Sequence, residues 1–377
     1  MLHVGIVAGE TSGDLLGAGL INAIRDLRPD LRVEGIGGPR LAAAGCRILF
    51  PMDRLAVMGI TEVMGRYLEL HSLRTRLGKY FIDNRPDVFI GVDAPDFNLG
   101  LEKTLRNAGI TTVHFVSPSV WAWREYRAVS IRQSIDLMLS LFPFEEQFYR
   151  RHKIPYKFVG HPLADELPLY PDKLAARRKL GLAGDRRIIA IMPGSRENEL
   201  RKMTTPFLQT ARQCHQKDDG FLFVTGLVDE KAENYFLEKK ELIAPELPVS
   251  VFTGNSHTVM EAADVVLLAS GTVALEAMLL EKPMVVAYKL SWLTYALARL
   301  MLRTPYISLP NLLAGRRIVP ECVQAECEPG RLTAELLKWF DNQSAVADVE
   351  CRFRQLHAGL RMDANKQAAA AVLELVK

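Results

Sequence analysis

No stretch of this chain approaches the ~20 consecutive apolar residues that a membrane-spanning helix needs. The N-terminus has no charged region, apolar core and cleavage site of a secretory signal, since His3–Ala8 already reads as a strand. The five cysteines (Cys46, Cys214, Cys322, Cys327 and Cys351) are odd in number and scattered, with no CxxC pair, so free thiols in a reducing compartment are expected. No Asp-x-Asp triplet, HExxH helix or Cys/His cluster is present, which leaves a metal without its usual ligands. There is no Gly-x-Ser-x-Gly elbow and no Walker A lysine. A net charge of +3 with no aromatic-interleaved basic tract gives no reason to expect nucleic acid as a partner. It is compatible with an anionic substrate or membrane surface. The expectation is a cytoplasmic protein that uses no metal and no cofactor.

What is present alternates short apolar, β-rich runs with helical patterns, which argues an α/β protein built on parallel sheets. Candidate strands in the first half are His3–Ala8, Arg32–Ile36, Asp87–Val92, Thr111–Val116, Asp136–Leu141 and Lys157–Val159. A proline- and acid-rich segment after His161 reads as a linker, and a fresh series follows at Arg187–Met192, Phe221–Thr225, Val249–Phe252, Val265–Leu268 and Met284–Ala287. With 377 residues, two domains are expected, split near residues 165 and 166. The pattern predicts two Rossmann-like domains facing a central cleft, with function in the loops after the strands. The Ala-rich helical tail, residues 345–377, has no strand of its own and is expected on the first domain or on a partner subunit.

The segment from Asp264 to Tyr288 carries the clearest chemistry. An apolar strand breaks at Ser270-Gly271-Thr272, enters a helix with one charge, Glu276, and returns to a second strand. A glycine, two hydroxyls and the free N–H groups of a helix N-terminus are the parts of a phosphate cradle. Glu276, about one turn in, suits the paired hydroxyls of a ribose or sugar. Pro193-Gly194-Ser195 forms a second turn of this type, with Arg196 placed to clamp a diphosphate. Arg196 can equally sit on the surface beside Glu197 and Glu199; two such turns in one domain favour the phosphate reading.

In the first half, the strand from His3 ends in Gly9-Glu10-Thr11-Ser12-Gly13-Asp14, which is not the dinucleotide fingerprint. Glu10 suits hydroxyl binding, whereas Ser12 and Asp14 also suit helix capping. Asp93 and Asp96 lie just past another strand end, where a carboxylate can take a proton from an attacking hydroxyl. Either can instead cap the helix that Pro95 opens. Ser117–Trp123 brings two tryptophans to the next strand end, suited to stacking on a sugar, lining an acyl pocket or packing in the core.

Two helical patterns suit a bilayer interface or an acyl groove. In Val57–Phe81, Ile60, Val63, Met64, Tyr67 and Leu68 follow helical spacing near Arg66, His71, Arg74, Arg76 and Lys79. In Lys289–Arg303, Trp292, Leu293, Tyr295, Leu297 and Leu300 are apolar nearly all round and bracketed by basic residues. A core role competes for the first pattern.

The motifs VAGETSGD, AVMGITEV, DAPDFN, SPSVWAW, LFPFEEQFY, GHPLAD, PGSRENE, LLASGTVALEAML and SLPNLLAG occur in this order from Val7 onward. As a set they resemble the lipid-A-disaccharide synthase family. That resemblance implies a GT-B fold and an inverting glycosyltransferase joining UDP-2,3-diacylglucosamine to 2,3-diacylglucosamine 1-phosphate. It implies a β-1′,6 link, released UDP, and a place at the inner face of the Gram-negative inner membrane. By position it makes Asp93 the base, Arg196 a diphosphate or uridine contact, Glu276 a ribose contact and Ser270–Thr272 the phosphate turn. It also places Glu10 and Asn311 among the polar groups of the cleft and implies a homodimer with exchanged C-terminal segments. Other sugar-nucleotide enzymes of that fold, such as a lipid-linked N-acetylglucosaminyltransferase or a UDP-sugar 2-epimerase, are the alternatives. A sugar-nucleotide-binding regulator is the non-enzyme alternative.

Overall fold

A computed structural model describes residues 1–55, 60–118, 120, 125–290, 295 and 304–376, with residues 60–67 described by backbone alone. The chain divides into two compact units, Met1–Asp165 with Leu360–Lys377, and Glu166–Gly359.

The first unit runs β1 (Leu2–Ala8), α1 (Thr11–Leu27), β2 (Leu31–Gly37), α2 (Pro39–Ala43), β3 (Cys46–Pro51), α3 (Ile60–Asn84), β4 (Val88–Val92) and α4 (Pro95–Asn107). It continues through β5 (Thr111–Phe115), α5 (Ala128–Ser134), β6 (Leu137–Ser140), α6 (Glu146–Arg151), β7 (Tyr156–Phe158) and α7 (Pro162–Glu166). Every strand pair is parallel, in the order β3-β2-β1-β4-β5-β6-β7. Every residue of β1 and β4 is buried, as strands covered on both faces require. The order reverses between β1 and β4, so the loops after these two strands flank the unit's switch point.

The second unit runs α8 (Lys173–Lys179), β8 (Arg187–Met192), α9 (Glu197–Lys217), β9 (Phe221–Leu227), α10 (Glu230–Ile243), β10 (Val249–Thr253) and α11 (Ser256–Ala262). Then come β11 (Val265–Ala269), α12 (Thr272–Leu279), β12 (Met284–Tyr288), α13 (Leu309–Ala314), β13 (Glu321–Val323), α14 (Pro329–Asp341) and α15 (Gln343–Leu360). Its parallel sheet has the order β10-β9-β8-β11-β12-β13, with the reversal between β8 and β11. Asp264 fastens the entry to this sheet, accepting from Arg177 Nη2 at 2.8 Å and from the Ile188 N–H at 2.8 Å.

Two strands escape the sequence reading, β3 and β13. Both lie at sheet edges and are only partly buried, so neither shows a continuous apolar run. Asp14 also departs from its expected role. Its carboxylate does not cap its own helix; it accepts the N–H groups of Gly38, Arg40 and Leu41 at 2.8, 3.0 and 3.1 Å. It thereby caps α2 from a distance, and buries almost completely in doing so.

The tail is shared between the units. Residues through Gly359 stay with the second unit, where Arg354 Nε donates to Glu281 Oε1 at 2.7 Å and Phe353 is fully buried. Only the last helix, α16 (Ala364–Leu375), joins the first. Its small residues Ala368, Ala369, Ala371 and Val372 enter the core that holds Leu20, Ile21 and Ile24. Asp165 caps it, accepting from the Asp363 and Ala364 N–H groups at 3.0 and 2.6 Å.

Candidate functional site

In the second unit, β11 delivers the chain to its switch point through Ala269, and the Ser270 N–H bonds the Ala287 carbonyl of the neighbouring strand at 3.0 Å. Gly271 is the N-cap of α12, with no side-chain cap. A Cβ at Gly271 would meet nothing within 4 Å, so open space lies ahead of the turn. Gly271 and Thr272 are exposed, and the first N–H groups of α12 precede its first intrahelical bond. An anion is the natural partner of such an end.

Glu276 lies one turn further along α12. Its Oε2 is 3.2 Å from Nε2 of His257, which stands in the first turn of α11. The bond to Glu276 is the main cause that raises the His257 pKa, opposed by partial burial. His257 was not singled out in the sequence. Its only signal there is position, since Gly254-Asn255 after β10 is a strand-end loop like those already noted.

The second turn follows β8, which pairs with β11 through Met192 and Leu268. Gly194 takes a left-handed φ of 116°, and a Cβ there would lie 2.6 Å from the Glu199 Cβ, so only glycine closes this turn. Arg196 becomes the N-cap of α9, with its side chain 71% exposed and Nη1 3.7 Å from Glu199 Oε1. Tyr288, at the end of β12, has its hydroxyl pKa raised by burial; Glu199 adds to this and Arg196 opposes it. Both turns therefore follow neighbouring strands at the unit's switch point, and Glu276, His257, Arg196 and Tyr288 lie on the same unit.

Asn311 does not present itself to a ligand. It is fully buried; its Oδ1 accepts from the Ile318 and Val319 N–H groups at 2.7 and 3.0 Å, and its Nδ2 donates to the Val319 carbonyl and to Glu321 Oε1 at 3.0 and 2.8 Å. Its polar atoms hold the loop before β13 in shape.

In the first unit, the loops after β1 and β4 hold Glu10 and Asp93, with Ser12 in the first turn of α1. These strands pair through Ala8 and Val92, and a Cβ at Gly9 would come within 3.0 Å of the Ala94 Cβ, so the two loops touch. Glu10 is exposed at the N-cap of α1 and makes no side-chain cap bond. Ser12 is exposed in the first turn of that helix. Pro95 opens α4 as expected, but the N-cap is Ala94, so neither Asp93 nor Asp96 caps it. Asp96 instead pairs with Arg127 at 2.8 Å. Asp93 is half-buried.

Backbone strain concentrates here. Asp93 and Ala94 have φ of 51° and 43°, and Val116, just past the neighbouring β5, has φ of 79°. Non-glycine residues seldom adopt this region, and a β-branched one hardly ever does. Such strain persists where the surroundings dictate it, often at functional sites.

The residues that the sequence suggests for membrane or acyl contact fall mainly outside the described ones. Trp292, Leu293, Leu297 and Leu300 do so entirely, as do Trp121 and Trp123, and the side chains of Ile60, Met64 and Tyr67 are likewise outside it. Leu68, in α3, is 78% exposed. Among the described residues, no helix is long and apolar enough to cross a membrane.

Residues 4–374 match the family model described as lipid-A-disaccharide synthetase. The chain is 49% identical to the lipid-A-disaccharide synthase of Aeromonas hydrophila over 376 residues, covering 100% of this chain and 98% of that one. It is 49% identical, at the same coverage, to that of Pseudomonas aeruginosa. Among solved structures it resembles the glycotransferase of kitacinnamycin, with a TM-score of 0.64, 17% identity and coverage of 99% and 98%. It also resembles UDP-GlcNAc 2-epimerase from Neisseria meningitidis bound to UDP-GlcNAc, with a TM-score of 0.63, 12% identity and coverage of 99% of both chains. At these identities the structural likeness speaks for the fold, two parallel-sheet α/β domains of the GT-B type.

Proposed function

The chain belongs to the lipid-A-disaccharide synthase family and is a glycosyltransferase of lipid A biosynthesis, and from that premise we propose its substrates and mechanism. The donor is UDP-2,3-diacylglucosamine, the acceptor 2,3-diacylglucosamine 1-phosphate, and the products a β-1′,6-linked tetraacyl disaccharide 1-phosphate and UDP. The family match along nearly the whole chain carries this reading.

The second unit grips UDP. The Ser270–Thr272 turn takes a phosphate at the N-terminus of α12, Glu276 accepts from the ribose hydroxyls, and Arg196 meets the diphosphate. Glu10 and Ser12 contact the acceptor sugar. The Asp93 carboxylate takes the proton of the acceptor 6-hydroxyl as its oxygen attacks the anomeric carbon. The new C–O bond forms as the bond to UDP breaks, and the electron pair leaves on the diphosphate, giving inversion in one step. Arg196 and the α12 dipole stabilise that growing charge without a metal.

Residues 57–81 and 289–303 hold the protein at the inner face of the inner membrane and admit the acyl chains. Two copies pair through exchanged C-terminal segments, the partner's last helix taking the place that α16 occupies on α1. Sedimentation with vesicles and light scattering test these two points. The chemistry is tested by the product: NMR of the isolated disaccharide should show a β-anomeric 1′,6 link, formed at the same rate in EDTA. An α-linked product or loss of the activity on chelation would overturn the mechanism.

A further inference from the structure

Asp93 and Ala94 are consecutive residues in the left-handed region, at the point where β4 ends and α4 begins. Neither is a glycine, so something outside the turn must hold them there. The Asp93 N–H donates to the Phe115 carbonyl of the neighbouring strand at 2.9 Å, which fixes one side of the peptide. The other side is held by one side chain. Asn98, in the first turn of α4, donates from Nδ2 to the Asp93 carbonyl at 2.7 Å. The same nitrogen lies 3.3 Å from the Val92 carbonyl and 3.4 Å from that of Val7. It thus ties together the ends of β1 and β4 and the turn itself.

Three carbonyl oxygens around one nitrogen settle the orientation of the amide, since an oxygen there would face only acceptors. Asn98 is fully buried, and its Oδ1 finds no hydrogen-bond partner among the described residues. A buried acceptor without a partner is a cost that an apolar side chain of similar shape would avoid. The amide is therefore kept for what its N–H groups do. One turn on, Glu102 Oε1 lies 2.7 Å from His114 Nδ1, and both residues are fully buried, so the neighbourhood of Asn98 is closed to solvent. Gly91 completes the fit: a Cβ there would lie 2.1 Å from Glu102 Oε1 and 2.9 Å from the Asn98 Cβ.

We propose that Asn98 is a positioning residue for glycosyl transfer, its amide holding the left-handed Asp93–Ala94 backbone so that the Asp93 carboxylate meets the acceptor hydroxyl. The inference rests on Asp93 being the base. Releasing the clamp lets the turn relax and displaces the carboxylate, and a displacement on the order of 1 Å costs roughly a hundredfold in rate.

The test compares Asn98→Ala, Asn98→Asp and Asp93→Asn as full-length proteins in detergent. Asn98→Ala should lose roughly ten- to a hundredfold in kcat, with KM for both substrates and UDP affinity within about twofold. Asn98→Asp is nearly isosteric and gives a readout that a merely structural role would not move. Surrounded by carbonyls and buried, its carboxyl has a raised pKa. Protonated, it donates to the Asp93 carbonyl; ionised, it repels all three oxygens. Relative to the wild type at each pH, its activity should therefore fall as pH rises. If Asn98→Ala does not fold, this acid-side recovery decides alone. Wild-type kcat in both variants, or a flat activity ratio across pH in Asn98→Asp, overturns the proposal. Near-wild-type turnover in Asp93→Asn would instead overturn the base assignment, whatever the Asn98 variants do.

Discussion

The Nε2 of His257 lies 3.2 Å from the Glu276 carboxylate, which joins the loop after β10 to the helix after β11. If Glu276 also receives the ribose hydroxyls, the imidazole helps to orient its carboxylate for them. Glu276→Gln should weaken UDP binding by roughly ten- to a hundredfold, the worth of hydrogen bonds to a charged group, and His257→Ala should do so by less. The pair is partly exposed, so both variants should melt within a few degrees of the wild type. Calorimetric titration with UDP checks the first statement and a thermal melt the second.

Asp14 supplies a stability prediction that is independent of the chemistry. Asp14→Ala strands the three N–H groups at the start of α2 and should cost about 2 kcal/mol or more. Ser12→Ala, exposed in the first turn of α1, should stay within ~0.5 kcal/mol of the wild type. Denaturant unfolding of the two variants measures the difference. Equal stability would show that the capping of α2 does not depend on Asp14.

Lys282 gives the pH dependence. The residue is 7% exposed; its ammonium donates to the Ala263 carbonyl at 3.1 Å and has its pKa lowered to about 8 from 10.5 by burial. Between these values the unfolded chain holds the proton and the folded chain has released it, so this group's contribution to stability rises with pH. Below pH 8 the cost of the buried charge is present in full, roughly 3 kcal/mol by the size of the shift. Lys282→Met should therefore be more stable than the wild type at pH 7, and the gap should close as pH rises through 8 towards 10. A gap that stays constant or widens would contradict this.

Asp93→Asn should keep UDP affinity and lower kcat by roughly a hundredfold or more, as loss of a general base requires. Single-turnover kinetics separate this from a binding defect.

Fold and site were legible to different depths. Buried parallel strands such as Val265–Ala269 are continuous apolar runs, and sequence reading finds them at once. The strands Cys46–Pro51 and Glu321–Val323 lie at edges and carry mixed residues, so periodicity is silent about them. Turns whose chemistry is local, as at Gly194 and Ser270, announced themselves through glycine and hydroxyls. Relationships made across the fold did not. Asp14 looks like a cap for its own helix until its partners prove to be 24 to 27 residues away. Asn311 looks like a cleft residue until the backbone of 318 and 319 and Glu321 consume its amide. His257 and Asn98 gain meaning only when Glu276 and the Asp93 carbonyl are brought beside them.

The central claim is an acceptor-dependent transfer from a UDP-sugar, and the release of UDP from UDP-2,3-diacylglucosamine in detergent tests it most directly. With 2,3-diacylglucosamine 1-phosphate present, UDP should appear in step with the disaccharide; without it, release should fall to background. UDP released at the same rate in the absence of acceptor would contradict the account and point to hydrolysis or epimerase-like chemistry on the same fold.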